Sequence, residues 1–371
     1  MTPPRNKFLG SGTYGCVFNP PLTCSDPKKH SALSSRQENV GKIYFHDGDF
    51  EEEKRLLQHV THDIDPHGEF TVKFLGDCTT QPTERDLVGA SEDCRRMNGF
   101  RAKQVVYPDG GLDLKLYYTR HKQKPFKFFA LWKPLMTVFK GLGVLHQKGL
   151  IHNDIKPANM LYSVKAGKVV MIDYGMMTTY KKAYREYNGT NDATYMYYPP
   201  DYRIVNRIIQ TSGSAVPTLS SLMEFYEQSF SPLDVSAFFA EFAIDLRKDL
   251  VNVLDVFNQQ QQRQHHTPKT DKSGKSHSLQ SKTPTPLQRY KAHGFDAMLS
   301  KIDVYSLGIS LAYMMHQMGL CEPDKLKKLT AAHRIKLVAL KGLIYHMIRP
   351  NVFERWDTEK VVAAAIDLLE I

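Results

Sequence analysis

Hydrophobic residues in the N-terminal part of the chain come in short runs separated by turn-forming residues. Runs at 7–9, 16–18 and 40–45 predict β-strands, because short apolar runs bounded by Gly, Pro, Asn or Asp are typical of strands. A further strand is predicted over 99–107, and a helix with an acidic first turn is predicted over 49–60. This part of the chain is therefore expected to be rich in β-structure.

Helical periodicity dominates the C-terminal part. Apolar residues at helical spacing predict a long helix from Pro125 to Gly149, and proline suits the first turn of a helix. Short strands are predicted around Ile151 and over 169–172. Further helices are predicted over 219–230, 233–257, 304–318, 333–348 and 358–369. A β-rich first part and a helical second part predict an α+β architecture with two lobes.

One tract departs from globular composition. Residues 258–286 contain four consecutive glutamines and many Ser, Thr, Lys and Pro residues, and a segment with so little to bury is predicted to be disordered. Its lysines suit a solvated linker better than a nucleic-acid site, because the tract lacks aromatic residues for base stacking.

Overall composition limits the class of protein. Hydrophobic residues make up 42% and charged residues 24%, which excludes a fibrous or fully disordered chain. The net charge of +10 favours acidic partners such as nucleotides or phosphoproteins. The five cysteines are odd in number and lack metal-ligand spacing, so reduced thiols in an intracellular compartment are predicted. We expect neither a membrane span nor a secretory signal.

A glycine-rich segment joins the first two predicted strands. Residues 10–17 read G-x-G-x-x-G-x-V, and glycines at this spacing let backbone N–H groups approach phosphate oxygens. Taken alone, such a segment is more often only a turn. The strand–loop–strand context argues against a dinucleotide-binding loop, since that loop opens a helix.

A second motif is far more specific. Residues 152–159 read H-x-D-x-K-P-x-N, and Asp173-Tyr174-Gly175 follows the next apolar strand. Asp154, Asn159 and Asp173 together offer a proton acceptor and the hard oxygen ligands that Mg²⁺ prefers.

The order of these motifs resembles the eukaryotic-type serine/threonine protein kinase family over nearly the whole chain. The resemblance implies the two-lobed kinase fold, with an N-lobe over 1–107 and a C-lobe over 108–371. A long insertion is expected over 203–298, before the family's αF motif at 303–308. It combines a helical part, 219–257, with the disordered basic tract. The phrase GTYGCVFNPPLTC is also similar to kinases of large DNA viruses, which would place the protein in the host cytoplasm or the virion.

The resemblance assigns the phosphate-transfer residues position by position. Lys42 would contact the α- and β-phosphates of ATP, with Glu53 as its ion-pair partner. Asp154 would orient the substrate hydroxyl and accept its proton. Asn159 and Asp173 would hold Mg²⁺.

ATP binding is assigned in the same way. The adenine base would lie between Val17 and Gly41 above and Leu161 below, and Val105 would be the gatekeeper. Because Pro108 has no N–H, the backbone donor to the adenine would come from Tyr107. The predicted ATP-binding residues are Leu9, Gly10, Ser11, Gly12, Thr13, Tyr14, Gly15, Val17, Gly41, Lys42, Val106, Tyr107 and Leu161.

The resemblance also addresses specificity. Lys156 matches the lysine that touches the γ-phosphate in serine/threonine kinases, and Thr194 matches the threonine that bridges the catalytic aspartate and this lysine. Asp303 would support the catalytic loop. Asp201 replaces the glutamate that usually pairs with a late arginine, here Arg355, and the shorter side chain is expected to weaken that pair.

Asn153 stands where the family usually has the arginine that binds a phosphorylated activation loop. Activity is therefore expected without phosphorylation of Thr178, Thr179, Tyr180 or Thr190. Two alternatives stay open: a pseudokinase-like scaffold that binds partners through the insertion, and a small-molecule phosphotransferase. The expected partners are protein substrates, including acidic ones, and neither nucleic acid nor a membrane is expected as a partner.

Overall fold

A computed structural model describes residues 6–26, 33, 38–186, 195–210, 216–262 and 295–370. Strands and helices alternate irregularly as far as residue 186. The strands there are β1 Lys7–Gly12, β2 Gly15–Asn19, β3 Asn39–Tyr44, β4 Gly76–Thr80, β5 Ala102–Pro108, β6 Leu112–Asp113, β7 Leu150–Ile151, β8 Met160–Ser163, β9 Lys168–Met171 and β10 Thr178–Thr179. The helices there are α1 Asp47–His59, α2 Glu92–Arg95, α3 Leu114–Arg120, α4 Pro125–Gln147 and α5 Tyr180–Glu186.

The described chain after residue 195 is helical. Its helices are α6 Pro200–Gln210, α7 Leu219–Phe230, α8 Val235–Ala240, α9 Leu246–Gln262, α10 Phe295–Gln317, α11 Pro323–Leu326, α12 Ala331–Met347 and α13 Thr358–Glu370. The α+β class predicted from the sequence is confirmed.

Two predictions about the insertion need correction. The apolar stripe over 233–257 predicted one helix, but the chain forms α8 and α9, and Ala243 between them has a left-handed φ of 57°. Helix α9 continues to Gln262, into the tract predicted to be disordered from 258. The rest of that tract, 263–286, lies outside the described residues.

The chain divides into two compact units. The first contains Met1–Tyr117, Pro134–Val144 and Pro157–Met177, and the second contains Tyr118–Lys133, Leu145–Lys156 and Thr178–Ile371. The predicted lobe boundary at residue 107 stays a prediction.

The first unit is built on an antiparallel sheet with the strand order β1-β2-β3-β5-β4. Helix α1 buries Phe50 against the ring of Tyr44, with the centroids 5.6 Å apart. A smaller sheet has the order β6-β8-β9. A parallel bridge between Thr71 and Met171 connects β9 to the segment that precedes β4.

Two disulfides cross-link the first unit. Cys16 of β2 is bonded to Cys94 of α2, and Cys24 is bonded to Cys78 of β4. All four cysteines are buried. The prediction of reduced thiols was therefore wrong for these four residues, and only Cys321 is free. Partners separated by 78 and 54 residues give no local signal in the sequence, and the sheet brings them together.

The second unit is organised around the long helix α10, whose residues from Ile302 to Ala312 are buried. The insertion packs an aromatic cluster inside this unit. The buried rings of the cluster are Tyr226, Phe230, Phe238, Phe239 and Phe242.

Helix α4 is long and apolar enough to cross a membrane by length and composition. However, 61% of its most apolar window is buried within the protein, as in the core helix of a globular domain. In the first unit, Phe70 packs directly against Gly141 of this helix, with no room for a side chain there.

Candidate active site

The glycine-rich loop is a tight hairpin tip in the first unit. Strand β1 ends at Gly12 and β2 begins at Gly15. A Cβ at Gly12 would have no atom within 4 Å, whereas a Cβ at Gly15 would lie 1.9 Å from the carbonyl oxygen of Ile43. Gly15 is therefore required by strand packing, while Gly12 faces open space that a phosphate can approach.

The rest of the predicted loop set surrounds this tip. Ser11 and Gly10 lie in β1, and Thr13 and Tyr14 form the turn. The ring of Tyr14 lies 3.7 Å from the position that a Cβ on Gly175 would occupy. The tip thus reaches the D-x-G segment within the same unit.

Lys42 of β3 lies in a cluster of charged groups. Its Nζ is 2.6 Å from Oε2 of Glu53 on α1 and 3.8 Å from Oδ1 of Asp173. The ammonium also lies 5.0 Å from the centroid of the Tyr44 ring. Burial raises the pKa of the Glu53 carboxyl, an effect that the charge of Lys42 opposes. One ammonium thus faces two carboxylates, an arrangement suited to a polyphosphate chelated by a cation.

One face of the sheet carries Lys42. Cross-strand partners share a face of an antiparallel sheet, and the partners of Lys42 are Val17 of β2 and Val105 of β5. Successive residues alternate between faces, so Val40 shares this face and Gly41 does not. A Cβ on Gly41 would lie 2.3 Å from the side-chain oxygen of Gln104.

Gly41 therefore lies on the face of the sheet opposite Lys42, whereas Val40 lies on the Lys42 face. Gly41 instead leaves room for the buried side chain of Gln104, whose amide forms hydrogen bonds of 2.9 Å with both backbone groups of Leu22.

The connector residues are placed by β5. Val106 pairs with Gly41, so its side chain faces away from Lys42, and its carbonyl oxygen accepts a hydrogen bond from the N–H of Leu75. Tyr107 pairs with Val40 and shares the Lys42 face. Among the other predicted residues, Leu9 is exposed and lies where the β1–β2 register shifts.

Leu161 of β8 lies beneath the connector. Its Cδ1 would be 2.6 Å from a Cβ on Gly110, so the glycine permits close contact between the two segments. This places an apolar side chain of the second sheet next to the residues that follow β5.

Asn159 and Asp173 lie on adjacent segments of the first unit. The N–H of Ile172 donates to the carbonyl oxygen of Asn159 at 3.0 Å, which holds the two segments together. Asp173 has a left-handed φ of 65°, a conformation that Asp adopts more readily than most residues. Among the described residues, no three His, Cys, Asp or Glu side chains form a metal site. Two oxygen ligands nevertheless fit Mg²⁺, which in nucleotide sites takes its other ligands from phosphates and water.

Asp154 belongs to the second unit. The ammonium of Lys156 lies 2.8 and 3.0 Å from the two carboxylate oxygens of Asp154. The hydroxyl of Tyr195 donates to Oδ1 of Asp154 at 2.6 Å. Thr194, which the sequence assigns to this position, lies outside the described residues.

Sequence reasoning missed Tyr195. The family pattern directs attention to the threonine before it, and the only signal in the sequence was the aromatic cluster of Tyr195, Tyr197 and Tyr198. Burial raises the pKa of the Tyr195 phenol well above its usual value, and the charge of Asp154 raises it further. The phenol is therefore a hydrogen-bond donor at neutral pH.

Asp303 of α10 supports the loop that carries Asp154. Its two carboxylate oxygens accept hydrogen bonds of 2.8 Å from the N–H groups of His152 and Asn153, and Nε2 of His146 lies 3.1 Å away. Asn153 is buried with a φ of 63°. The fully buried carboxylate thus fixes the backbone immediately before Asp154.

Asp201 and Arg355 form a buried ion pair. Nη2 of Arg355 donates to Oδ1 of Asp201 at 2.7 Å. Among the described residues, Oδ2 of Asp201 and Nη1 of Arg355 have no hydrogen-bond partner. The pair is therefore held by one hydrogen bond rather than two. Burial raises the pKa of Asp201, and Arg355 opposes that shift.

Comparisons with known proteins agree with this arrangement. Residues 107–212 match the family described as "Protein kinase domain". The human "Cell division cycle 7-related protein kinase" is 38% identical over 168 residues, which cover 45% of this chain and 24% of that protein. The "Serine/threonine-protein kinase STY17" of Arabidopsis thaliana is 27% identical over 187 residues, covering 48% of this chain and 28% of that protein.

The chain thus spans about a quarter of the length of these relatives. The comparisons show that residues 107–212 match a protein kinase domain and that just under half of the chain is similar to parts of known protein kinases.

Proposed function

We propose that the protein is a protein kinase that uses ATP and Mg²⁺ to phosphorylate serine and threonine. The observation that carries the proposal is the ammonium of Lys42, 2.6 Å from Glu53 and 3.8 Å from Asp173. In phosphoryl transfer the protein mainly positions the reactants and neutralises charge. A partly buried ammonium held by one carboxylate and facing a second suits that role.

The first unit supplies the groups for the nucleotide. The open face of Gly12 admits the phosphates, Lys42 contacts them, and Val40 and Leu161 contribute apolar surface for the base. Asn159 and Asp173 would hold Mg²⁺, which when bound neutralises phosphate charge.

The second unit supplies the groups for the acceptor. Asp154 accepts the proton of the substrate hydroxyl as its oxygen bonds to the γ-phosphorus, while the bond from that phosphorus to the β–γ bridging oxygen breaks and ADP leaves. Lys156 donates hydrogen bonds to both oxygens of Asp154 and thereby orients the carboxylate. Lysine at this position is the feature of serine/threonine kinases that supports the acceptor class.

A scaffold without transfer activity is not favoured. Partner binding requires neither the Lys42–Glu53 pair nor a lysine on Asp154. Removing charged groups from water costs free energy, and partner binding gives no reason for these groups to be present. Protein substrates form part of the proposal, and the net charge of +10 supports a preference for acidic acceptors.

A labelled peptide array tests the proposal. Purified protein is incubated with [γ-³²P]ATP and MgCl₂ on peptides that differ only in carrying Ser, Thr or Tyr at the acceptor position. Each peptide is made with acidic and with basic flanks. We expect label on Ser and Thr peptides, with more on acidic flanks. Label confined to Tyr peptides would contradict the acceptor class, and no label on any peptide would contradict the function.

A further inference from the structure

The insertion contacts the segment that carries Tyr195. Its first helix, α7, is anchored in the second unit by Tyr226, which is fully buried and whose hydroxyl lies 3.4 Å from that of Tyr305 on α10. Thr218 caps the helix by accepting a hydrogen bond from the N–H of Ser221. Helix α7 is thus a fixed element rather than a surface addition.

Arg203 of α6 connects this helix to the Tyr195 segment. Its guanidinium carbon lies 3.1 Å from the centroid of the Phe225 ring on α7, and Nη1 is 3.5 Å from Oγ of Ser229. On its other side, the guanidinium donates to the carbonyl oxygens of Tyr195 and Tyr198. A buried, planar cation with several donors is well suited to hold two elements in one geometry.

Tyr195 completes the connection to Asp154. Its ring lies 4.9 and 5.2 Å from the rings of Tyr198 and Tyr197, and its hydroxyl donates to Asp154 at 2.6 Å. The ammonium of Lys156 lies 5.5 Å from the centroid of the same ring. Tyr195 is therefore held at its carbonyl, its ring and its hydroxyl.

We propose that Tyr195 is the positioning residue for Asp154 and that helix α7 of the insertion holds it in place through Arg203. The inference rests on the proposed function, because Asp154 needs a fixed orientation only if it receives a proton from an acceptor. It gives the insertion a role in catalysis: contacts made by α7 set the geometry of the catalytic carboxylate. A displacement of about 1 Å in such a group costs roughly 100-fold in rate.

The first test compares Tyr195→Phe with Tyr197→Phe. Each variant loses one phenol oxygen from the same aromatic cluster. We expect Tyr195→Phe to lower kcat for peptide phosphorylation about 10- to 100-fold, with KM for ATP and the melting temperature near wild type. Tyr197→Phe is the matched control and should keep kcat within about twofold.

The direction of the change separates two roles for the tyrosine. If Tyr195 instead blocks Asp154, its removal will raise kcat, and that result overturns the proposal. An unchanged kcat also overturns it. The activity of wild type separates a failure of the proposed function from a failure of the Tyr195 proposal. If wild type transfers no phosphate, the proposed function is wrong. If wild type transfers phosphate normally and Tyr195→Phe is unaffected, only the role of Tyr195 is wrong.

A double-mutant cycle tests the role of the insertion. Phe225→Leu removes the ring beneath the Arg203 guanidinium, and Glu224→Gln changes an exposed neighbour on the same helix. We expect Phe225→Leu to lower kcat about 3- to 10-fold and to add little to the loss in Tyr195→Phe, since coupled residues are not additive. Additive losses would show that α7 does not act through Tyr195. If Phe225→Leu does not fold, Arg203→Lys replaces it, with the same expectation.

Discussion

Glu53 Oε2 lies 2.6 Å from Lys42 Nζ, while the neighbouring side chains of Glu51 and Glu52 are exposed. Helix α1 thus orients only one of three consecutive glutamates, Glu53, toward Lys42. Only the third faces β3, because the helix turns about 100° per residue. The pair fixes the ammonium that the proposed mechanism directs at the phosphates.

Replacement of Glu53 should therefore reduce phosphate transfer. We expect Glu53→Gln to lower kcat/KM for ATP about 10- to 100-fold, because Lys42 loses the charge that orients it. Glu52→Gln removes the same charge from the same helix and should keep wild-type kinetics. Steady-state assays at varied ATP measure both, and equal losses in the two variants would contradict the account.

Two glycines of the loop are expected to have different roles: Gly15 in stability and Gly12 in ATP binding. Gly15→Ala places a Cβ against the carbonyl oxygen of Ile43, 1.9 Å away without relaxation. It is expected to lower the free energy of unfolding by about 1–3 kcal/mol or more. Gly12→Ala meets no atom within 4 Å and should leave stability unchanged while raising KM for ATP. Urea unfolding and ATP kinetics on both variants check this, and the reverse pattern would contradict it.

The two disulfides leave one of the five cysteines, Cys321, as a free thiol. In denaturant without reductant, one thiol, Cys321, should react with Ellman's reagent, and after reduction all five cysteines should react. In the native protein Cys321 should react slowly, because burial raises the pKa of its thiol to about 12. Loss of one disulfide is expected to lower stability by about 2–5 kcal/mol. Five reactive thiols in unreduced, denatured protein would contradict the observed pairing.

Asp303 should make stability depend on pH in the acid range. Burial alone would raise the pKa of this carboxyl, but hydrogen bonds from His146 and the backbone N–H of His152 hold it below its usual value. A depressed carboxyl pKa stabilises the fold above the unfolded pKa of about 4 and loses that contribution as pH falls through the folded value.

The matching variant is Asp303→Asn. It should lower the free energy of unfolding at pH 7 by about 3–5 kcal/mol, and its difference from wild type should shrink below about pH 4. Urea unfolding at pH 7, 5 and 3.5 measures this. A difference that stays constant over the range would show that the charge of Asp303 is not responsible.

Local patterns predicted most elements of the fold. The strand 40–45 appears as Asn39–Tyr44, and the long helix appears as Pro125–Gln147, because both depend on periodicity within one segment. The break between α8 and α9 was not predictable in this way. Phe242 continues the apolar stripe of α8, yet Ala243 takes a left-handed conformation, since tertiary packing of the aromatic cluster overrides the local pattern.

Residues of the candidate site could be predicted where a sequence motif fixes their spacing along the chain. Contacts between side chains that only the tertiary fold brings together could not be predicted. The sequence identified Lys42 and Asp154 through their motifs. Family position alone did not show that Gly41 lies on the face opposite Lys42, because successive strand residues alternate between faces. Tyr195 reaches Asp154 only through the path of its loop, and Cys16 meets Cys94 only through the sheet, so neither contact has a local signature.

The most direct test of the central claim is transfer of label from [γ-³²P]ATP to a Ser or Thr peptide by wild type, Asp154→Asn and Lys42→Ala. We expect rapid labelling by wild type and a loss of at least about 100-fold in each folded variant. Labelling by either variant at the wild-type rate would contradict it.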